Sequence, residues 1–365
     1  MCLLTHLAQV PDFRRQNKNF RHKLLDILVI SVLATLSGAD DFVEIANFGR
    51  QKAAILGRYL CLEHGPPSHD TIERVFQHLN AARFTACFQA WMQELLPEKP
   101  LDHVCLDGKT MRGVRGTALH VVSAVAATTG LCLTQQAIDG KGQELAALGQ
   151  VLDLLDVRGA LVRIDALGCQ PALARQIHQQ GGDYLLAVKA NQPGLLEEVE
   201  RALTPQVATA QERRWGNYNV PLHTQVAVVA APWWVNEDKR WPALATLVRV
   251  ETTRYPPDLP PQPQAVRYYI SSRADLTAEQ ALVAVRGHWA IENKLHWRLD
   301  VTLGEDQHLL RHVRAAQNLT LVRKMALNIL AQNTQKGSVK VKRKRLAWNE
   351  ELLEQQLADI CRATS

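Results

Sequence analysis

Much that would place this chain at a glance is missing from it. Its seven cysteines (Cys2, Cys61, Cys87, Cys105, Cys132, Cys169 and Cys361) form no C-x-x-C pair and no Cys/His set with zinc spacing. Most lie in apolar strings and read as small core residues of a reducing, cytoplasmic protein. No His-Glu-x-x-His occurs, so His288, His296, His308 and His312 read as scattered surface or supporting groups. Gly108-Lys109-Thr110 is not a phosphate-binding loop, because that pattern needs a glycine where His103 stands. Internal repeats and low-complexity tracts are absent too. The strongly apolar run Leu24 to Leu36 follows Arg21-His22-Lys23 in the manner of a signal peptide. It contains Asp26, reaches Asp40-Asp41 without a small-residue cleavage site, and is too short to cross a bilayer. It predicts a buried helix and no membrane partner.

What is present is ordinary in bulk and informative in detail. A chain of 365 residues with 47% hydrophobic content can bury a sizeable core and hold more than one domain. The net charge of +6 and pI of about 9.0 suit a polyanionic partner without requiring one. Residues 1–100 predict an all-α module: Leu24, Leu25, Leu28, Val32 and Leu36 follow helical spacing, and so do Phe84, Phe88, Trp91 and Leu95. Gly65-Pro66-Pro67 breaks the module, Ser68 or Asp70 caps the next helix, and Pro97 and Pro100 mark its end.

From 101 to 205 the texture is three short strands, helix, strand, helix, strand, which predicts a mixed α/β sheet. Residues 206–272 read as a β-rich insertion with a proline-rich loop at Tyr255 to Pro261. Residues 273–335 carry two long helices, and 336–365 form a basic C-terminal tail with Lys336, Lys340, Lys342, Arg343, Lys344 and Arg345.

Three carboxylates stand out. Asp107 and Asp165 each close an apolar run, as a strand-end aspartate does. Alone, either is as well explained by a turn or a helix cap. Glu292 changes the balance. It lies in the stripe Leu282, Val285, Trp289, Glu292, His296, Leu299, whose steps of three and four place it on or beside the apolar face of one helix. A carboxylate there is costly unless a cation or donors satisfy it, and Arg286, Lys294 and Arg298 are local candidates. Two strand-end aspartates and a helix glutamate can hold two hard divalent cations that work on a phosphodiester. Glu305 and Asp306 follow the same helix and are the fallback third acid.

The strings themselves resemble the DDE transposases of bacterial insertion sequences, specifically the H-repeat family associated with Rhs elements. The resemblance runs through Gly65-Pro66-Pro67-Ser68-His69-Asp70-Thr71, Leu106-Asp107-Gly108-Lys109-Thr110, Ile164-Asp165-Ala166-Leu167-Gly168-Cys169-Gln170, and Gly182-Asp183-Tyr184 on to Lys189-Ala190-Asn191-Gln192. Its most specific stretch is Arg286-Gly287-His288-Trp289-Ala290-Ile291-Glu292-Asn293, followed by Leu295-His296-Trp297 and Leu299-Asp300-Val301. It implies an RNase-H-like core and assigns Asp107, Asp165 and Glu292 as the acidic triad. It also implies Mg2+ as cofactor, two ions per site, with Mn2+ able to substitute.

One departure from the wider superfamily stands out. The Tyr, Arg and Lys that often flank this glutamate are replaced here by Val285, His288 and Leu299. Lys109, Lys189, Asn191, Arg286, His288 and Asn293 are the remaining candidates to support the site or touch DNA. Expected partners are double-stranded DNA, as terminal inverted repeats and as target, and a second copy of the chain once assembled on DNA. The N-terminal helical module is expected to help bind element-end DNA, or else to serve dimerisation or structure alone; Arg14, Arg15, Lys18 and Arg21, with Lys342, Arg343, Lys344 and Arg345, are candidate phosphate contacts, or else no more than solvated charge. The rival readings are a DNA-binding relic without catalysis and a nuclease that cuts without joining.

Overall fold

The computed structural model describes residues 3–15, 20–96, 101–112, 114, 119–138, 140–203, 210–215, 220–307 and 310–361. Cys2, Lys18 and His308 lie outside them. Six helices open the chain: α1 (Leu3–Ala8), α2 (Leu24–Leu36), α3 (Phe42–Gln51), α4 (Ala53–Leu56), α5 (His69–His78) and α6 (Ala81–Leu95). Capping side chains set several of their starts. Asp41 accepts from Glu44 N, Ser68 from Thr71 N and Asn80 from Arg83 N. Helix α2 is buried along nearly its whole length, as its unbroken apolar run requires. No helix among the described residues is long and apolar enough to cross a membrane.

Next come β1 (His103–Met111), β2 (Leu119–Ala126), β3 (Cys132–Ile138), α7 (Glu144–Asp153), β4 (Leu161–Ile164), α8 (Pro171–Gln179), β5 (Asp183–Val188) and α9 (Pro193–Ala202). Strands β1, β2 and β3 form an antiparallel meander, and β4 and β5 add in parallel to β1. The spatial order β3-β2-β1-β4-β5, with helices at the crossovers, is the RNase-H-like arrangement.

The segment read as an insertion is β-rich: β6 (Ala210–Trp215), β7 (Pro221–Ala230), β8 (Thr246–Arg254), β9 (Gln262–Pro263) and β10 (Arg267–Ser271). It does not interrupt the core as a separate sheet. β10 pairs antiparallel with β5, so the core sheet continues through β8 and β7 to β6. The edge of β5 is thereby covered, and its backbone donors and acceptors are paired.

Helix α10 (Ala278–Ala290) starts at a capping box formed by Thr277 and Gln280. The helical path then widens into two π-helical segments, Ile291–His296 and Arg298–Thr302, where the spacing predicts a single α-helix. Helix α11 (Val313–Gln332) is buried along most of its length against the N-terminal helices and the sheet. Its polar side chains bind both: Asn318 Nδ2 donates to Phe76 O and Leu79 O, and Lys324 Nζ to Ser123 Oγ and Gln135 Oε1. The N-terminal helices are therefore part of the scaffold that holds the sheet.

Candidate active site

Register brings the aspartates together. In the parallel pair, Leu106 lies opposite Ile164, so Asp107 and Asp165 follow side by side on adjacent strands. Asp107 does not end its strand, contrary to expectation. Strand β1 runs on to Met111, with Asp107 opposite Ser123 in the antiparallel partner. The polar residues Gly108-Lys109-Thr110 suggest a turn in isolation, but their backbone is paired with β2. Asp165 does end its strand, and its side chain caps the following single turn by accepting from Leu167 N at 3.1 Å. Asn191 Nδ2 donates to Ala166 O at 2.7 Å, which ties the loop after β5 to the turn carrying Asp165.

Helix α10 lies across this face of the sheet. Gly287 packs so closely on the buried ring of His103 that a Cβ there would collide with it. That contact sets the height at which the chain leaves α10 and enters the π-helical turns. Glu292, exposed at its outer side, then reaches Asp107. Among the described residues, ligand atoms of Asp107, Glu292 and His296 all lie within 4.8 Å of one another. His296 Nδ1 is 3.7 Å from Asp107 Oδ2 and 3.6 Å from Glu292 Oε2. Asp165 is outside this set, although its charge acts on Asp107.

Lys109 holds the π-helical stretch against β1. Its ammonium pairs with Asp300 and, at 2.6 Å, with Glu305. Glu305 is fully inside the protein and also accepts from Thr320 Oγ1 at 2.8 Å. Burial disfavours its charge, but Lys109 and then Arg323 hold its carboxyl below the usual range. Asp306 Oδ1 accepts from Arg112 N at 2.9 Å. Neither fallback acid is placed as a third ligand: Glu305 is committed to the core and Asp306 to a backbone amide.

The electrostatics single out Asp107. Burial, then the negative charges of Asp165 and Glu292, push its carboxyl up from 3.8 to about 8. Glu292 moves the other way, held below its usual range first by the neighbouring His296. Such crowding of acids around one buried carboxylate fits a hard divalent cation. The ammonium of Lys109 adds only a minor part of that charge, acting on Glu292, because its ion pairs go to Asp300 and Glu305.

The other candidates are dispersed. Arg286 pairs with Glu212, and Arg214 stacks over Trp289, which is exposed and not on the buried stripe. His288 is half-buried, while Lys189, Asn191 and Asn293 are exposed. Arg15 and Arg21 are exposed, but Arg14 binds Asp12 and His22 O.

The basic tail is helical, in α12 (Val339–Trp348) and α13 (Glu350–Cys361). Arg343 departs most from expectation. It is buried and donates to Thr35 O, Thr302 O and the Asp40 carboxylate. Lys342 Nζ donates to Leu330 O and Asn333 O at the end of α11, where a cation meets the free carbonyls of a helix C-terminus. Lys344 and Arg345 are exposed. Four cysteines behave as core, Cys87, Cys105, Cys132 and Cys169, while Cys61 is exposed; burial pushes the Cys87, Cys105 and Cys169 thiols up to about 12.

His296 is the residue that sequence reasoning passes over. It stands among three other scattered histidines, although its spacing of four from Glu292 is visible.

Comparisons with known proteins show the family. Residues 98–329 match the family model described as a transposase DDE domain, and residues 4–92 match a model described as associated with that domain. The putative transposase YncI of Escherichia coli O157:H7 is 36% identical over 98% of this chain and 94% of its own length. The H repeat-associated putative transposase YhhI of Escherichia coli K12 is 35% identical over 98% of this chain and 97% of its own. A solved piggyBac transposase synaptic complex with hairpin DNA aligns over all of this chain and 83% of that one, at 11% identity and a TM-score of 0.47. On the full-length relatives and the matched domain, the chain belongs to the DDE transposases of bacterial insertion sequences, in the company of the H-repeat-associated transposases.

Proposed function

We propose that this protein cuts DNA at the ends of an insertion sequence and joins the freed ends to target DNA. Asp107, Asp165 and Glu292 are the carboxylates that carry the reaction. The observation that carries the reading is the convergence of Asp107 with Glu292, residues from distant parts of the chain, beside Asp165 on the adjacent strand. Magnesium bound there supplies Lewis-acid stabilisation of a phosphodiester and of the oxygens that attack and leave it.

The protein's own contribution is position and charge. Asp107 offers a carboxylate from a rigid, doubly paired strand, and Asp165 from a capped turn. Glu292 comes from a helical turn clamped through Lys109, Asp300 and Glu305. Such a scaffold keeps the acids in place as a polyanion approaches. DNA is held through sequence-independent phosphate contacts from exposed basic side chains, among them Arg15, Arg21 and Lys344. Two copies of the chain assemble on paired ends, in the cytoplasm at the nucleoid.

The test is a strand-transfer assay with the inverted repeats that flank the gene, Mg2+ and a supercoiled target. Joined product from wild type, and none from Asp107→Asn, supports the reading. Cleavage without joining reduces the protein to a nuclease. DNA binding without cleavage reduces it to a binding protein.

A further inference from the structure

The acids above do not complete the site. We propose that His296 is a nitrogen ligand of one of its two cations, so that Asp107, Glu292 and His296 together form a mixed oxygen and nitrogen position. This rests on the metal-dependent reading of the same site. Three observations carry it. First, His296 is only 6% exposed, and its Nδ1 faces two carboxylates of different elements. Second, the gaps of 3.7 and 3.6 Å exceed hydrogen-bond reach. They fall within the span of donors around a single ion: ligands at about 2.1 Å from a divalent cation lie from about 3.0 Å apart when adjacent to about 4.2 Å when opposite. Third, Asp165 lies outside the set, so the third donor beside Asp107 and Glu292 is the imidazole and not the other aspartate.

The donor set has a consequence for metal choice. Magnesium favours all-oxygen octahedra and keeps its waters, whereas imidazole nitrogen favours later first-row ions. This position therefore takes Mn2+ in preference to Mg2+, and His296 is the cause. Removing the imidazole lowers Mn2+ affinity by about tenfold, with a smaller loss for Mg2+.

The experiment loads the full chain with Mn2+ in a nitrogen-free buffer and records electron spin-echo envelope modulation. Wild type is expected to show 14N modulation from a directly bound imidazole. Protein grown with 15N-histidine should lose it, and so should His296→Asn. The isotope arm needs no substitution, so a variant that fails to fold does not block the test. A bound Mn2+ signal that Asp107→Asn abolishes, but that carries no histidine nitrogen, overturns the His296 assignment and leaves the acidic site standing. Mn2+ binding that is absent, or indifferent to Asp107→Asn, removes the metal-centre reading and this inference with it.

Discussion

Asp107→Asn should stabilise the metal-free protein while it abolishes the reaction, and the gain should depend on pH. In the fold, the Asp107 carboxyl is pushed from 3.8 to about 8, first by burial and then by Asp165 and Glu292. The folded protein therefore keeps a proton that the unfolded chain releases. Stability from this group is fully present below about pH 4 and is lost as pH rises toward 8, by up to about 1.4 kcal/mol per pH unit. At pH 7 the ceiling is about 4 kcal/mol. The side chain is 13% exposed, and water entry and relaxation reduce the penalty to about 2 kcal/mol.

Asparagine has the same shape and no charge to suppress, so the variant escapes the penalty. For a chain this long, with an unfolding entropy of about 0.8 kcal/mol/K, the melting temperature should rise by about 2–3 °C at pH 7.5. At pH 4.5 the difference should nearly vanish. The assay is calorimetry of wild type and variant in chelator at both pH values, repeated with Mg2+. Added Mg2+ should raise the melting temperature of wild type alone. A variant less stable than wild type in chelator at pH 7.5, or a difference equal at both pH values, would refute the argument that the acids crowd one another.

Four further outcomes follow from particular side chains. Asp165→Asn and Glu292→Gln should each stop cleavage in a gel assay while end-DNA binding persists; loss of binding in parallel would point to a structural role. Gly287→Ala should destabilise by about 1–3 kcal/mol, against the usual helix gain from alanine, because its Cβ meets the His103 ring; an unchanged denaturation midpoint would contradict the close packing of α10. Arg343→Ala should cost about 3–5 kcal/mol, because Asp40 and three backbone carbonyls are left without their buried guanidinium; a stable variant with weakened DNA binding would restore Arg343 as a phosphate ligand. Neutralising exposed Lys340 and Lys344 should make the slope of log affinity against log salt shallower by up to about 0.9 for each phosphate no longer neutralised; an unchanged slope would assign α12 to protein contacts.

The strands and the acidic positions were legible because their signals are local. Val104-Cys105-Leu106 and Leu161 to Ile164 are apolar runs that must sit inside a sheet, and each leads directly into an aspartate. Where β1 ends was not legible. Glycine and polar residues mark turns in isolation, yet at Gly108 the missing side chain makes room for the Glu144 and His120 side chains against the strand. The path of β10 back onto β5 was hidden for a related reason: which edge a strand joins depends on partners far away in the sequence.

Helical periodicity put Glu292 on or beside the apolar face, but its side chain is 59% exposed, and its neighbours are misplaced too. A stripe with steps of three and four assumes an α-helix throughout. Trp289, still within the regular helix, is exposed, and after Ala290 the turns widen while Leu299 stays inside. The same widening brings His296 to Asp107, and no single residue announces it.

Charge was the least legible property, because a sequence counts ions without saying what they face. Arg343 and Lys342 belong to one basic run with Lys344, yet the first two hold carbonyls inside the fold and the third faces solvent. Arg14 likewise satisfies Asp12 while its neighbour Arg15 is exposed. Deleting residues 1–95 would not isolate a DNA-binding role, since it would also strip Phe76 and Leu79 from Asn318 and bare the buried face of α11. The basic charge left free to meet a polyanion is thus smaller than the composition implies. It is best sought by neutralising exposed side chains one at a time on an intact scaffold.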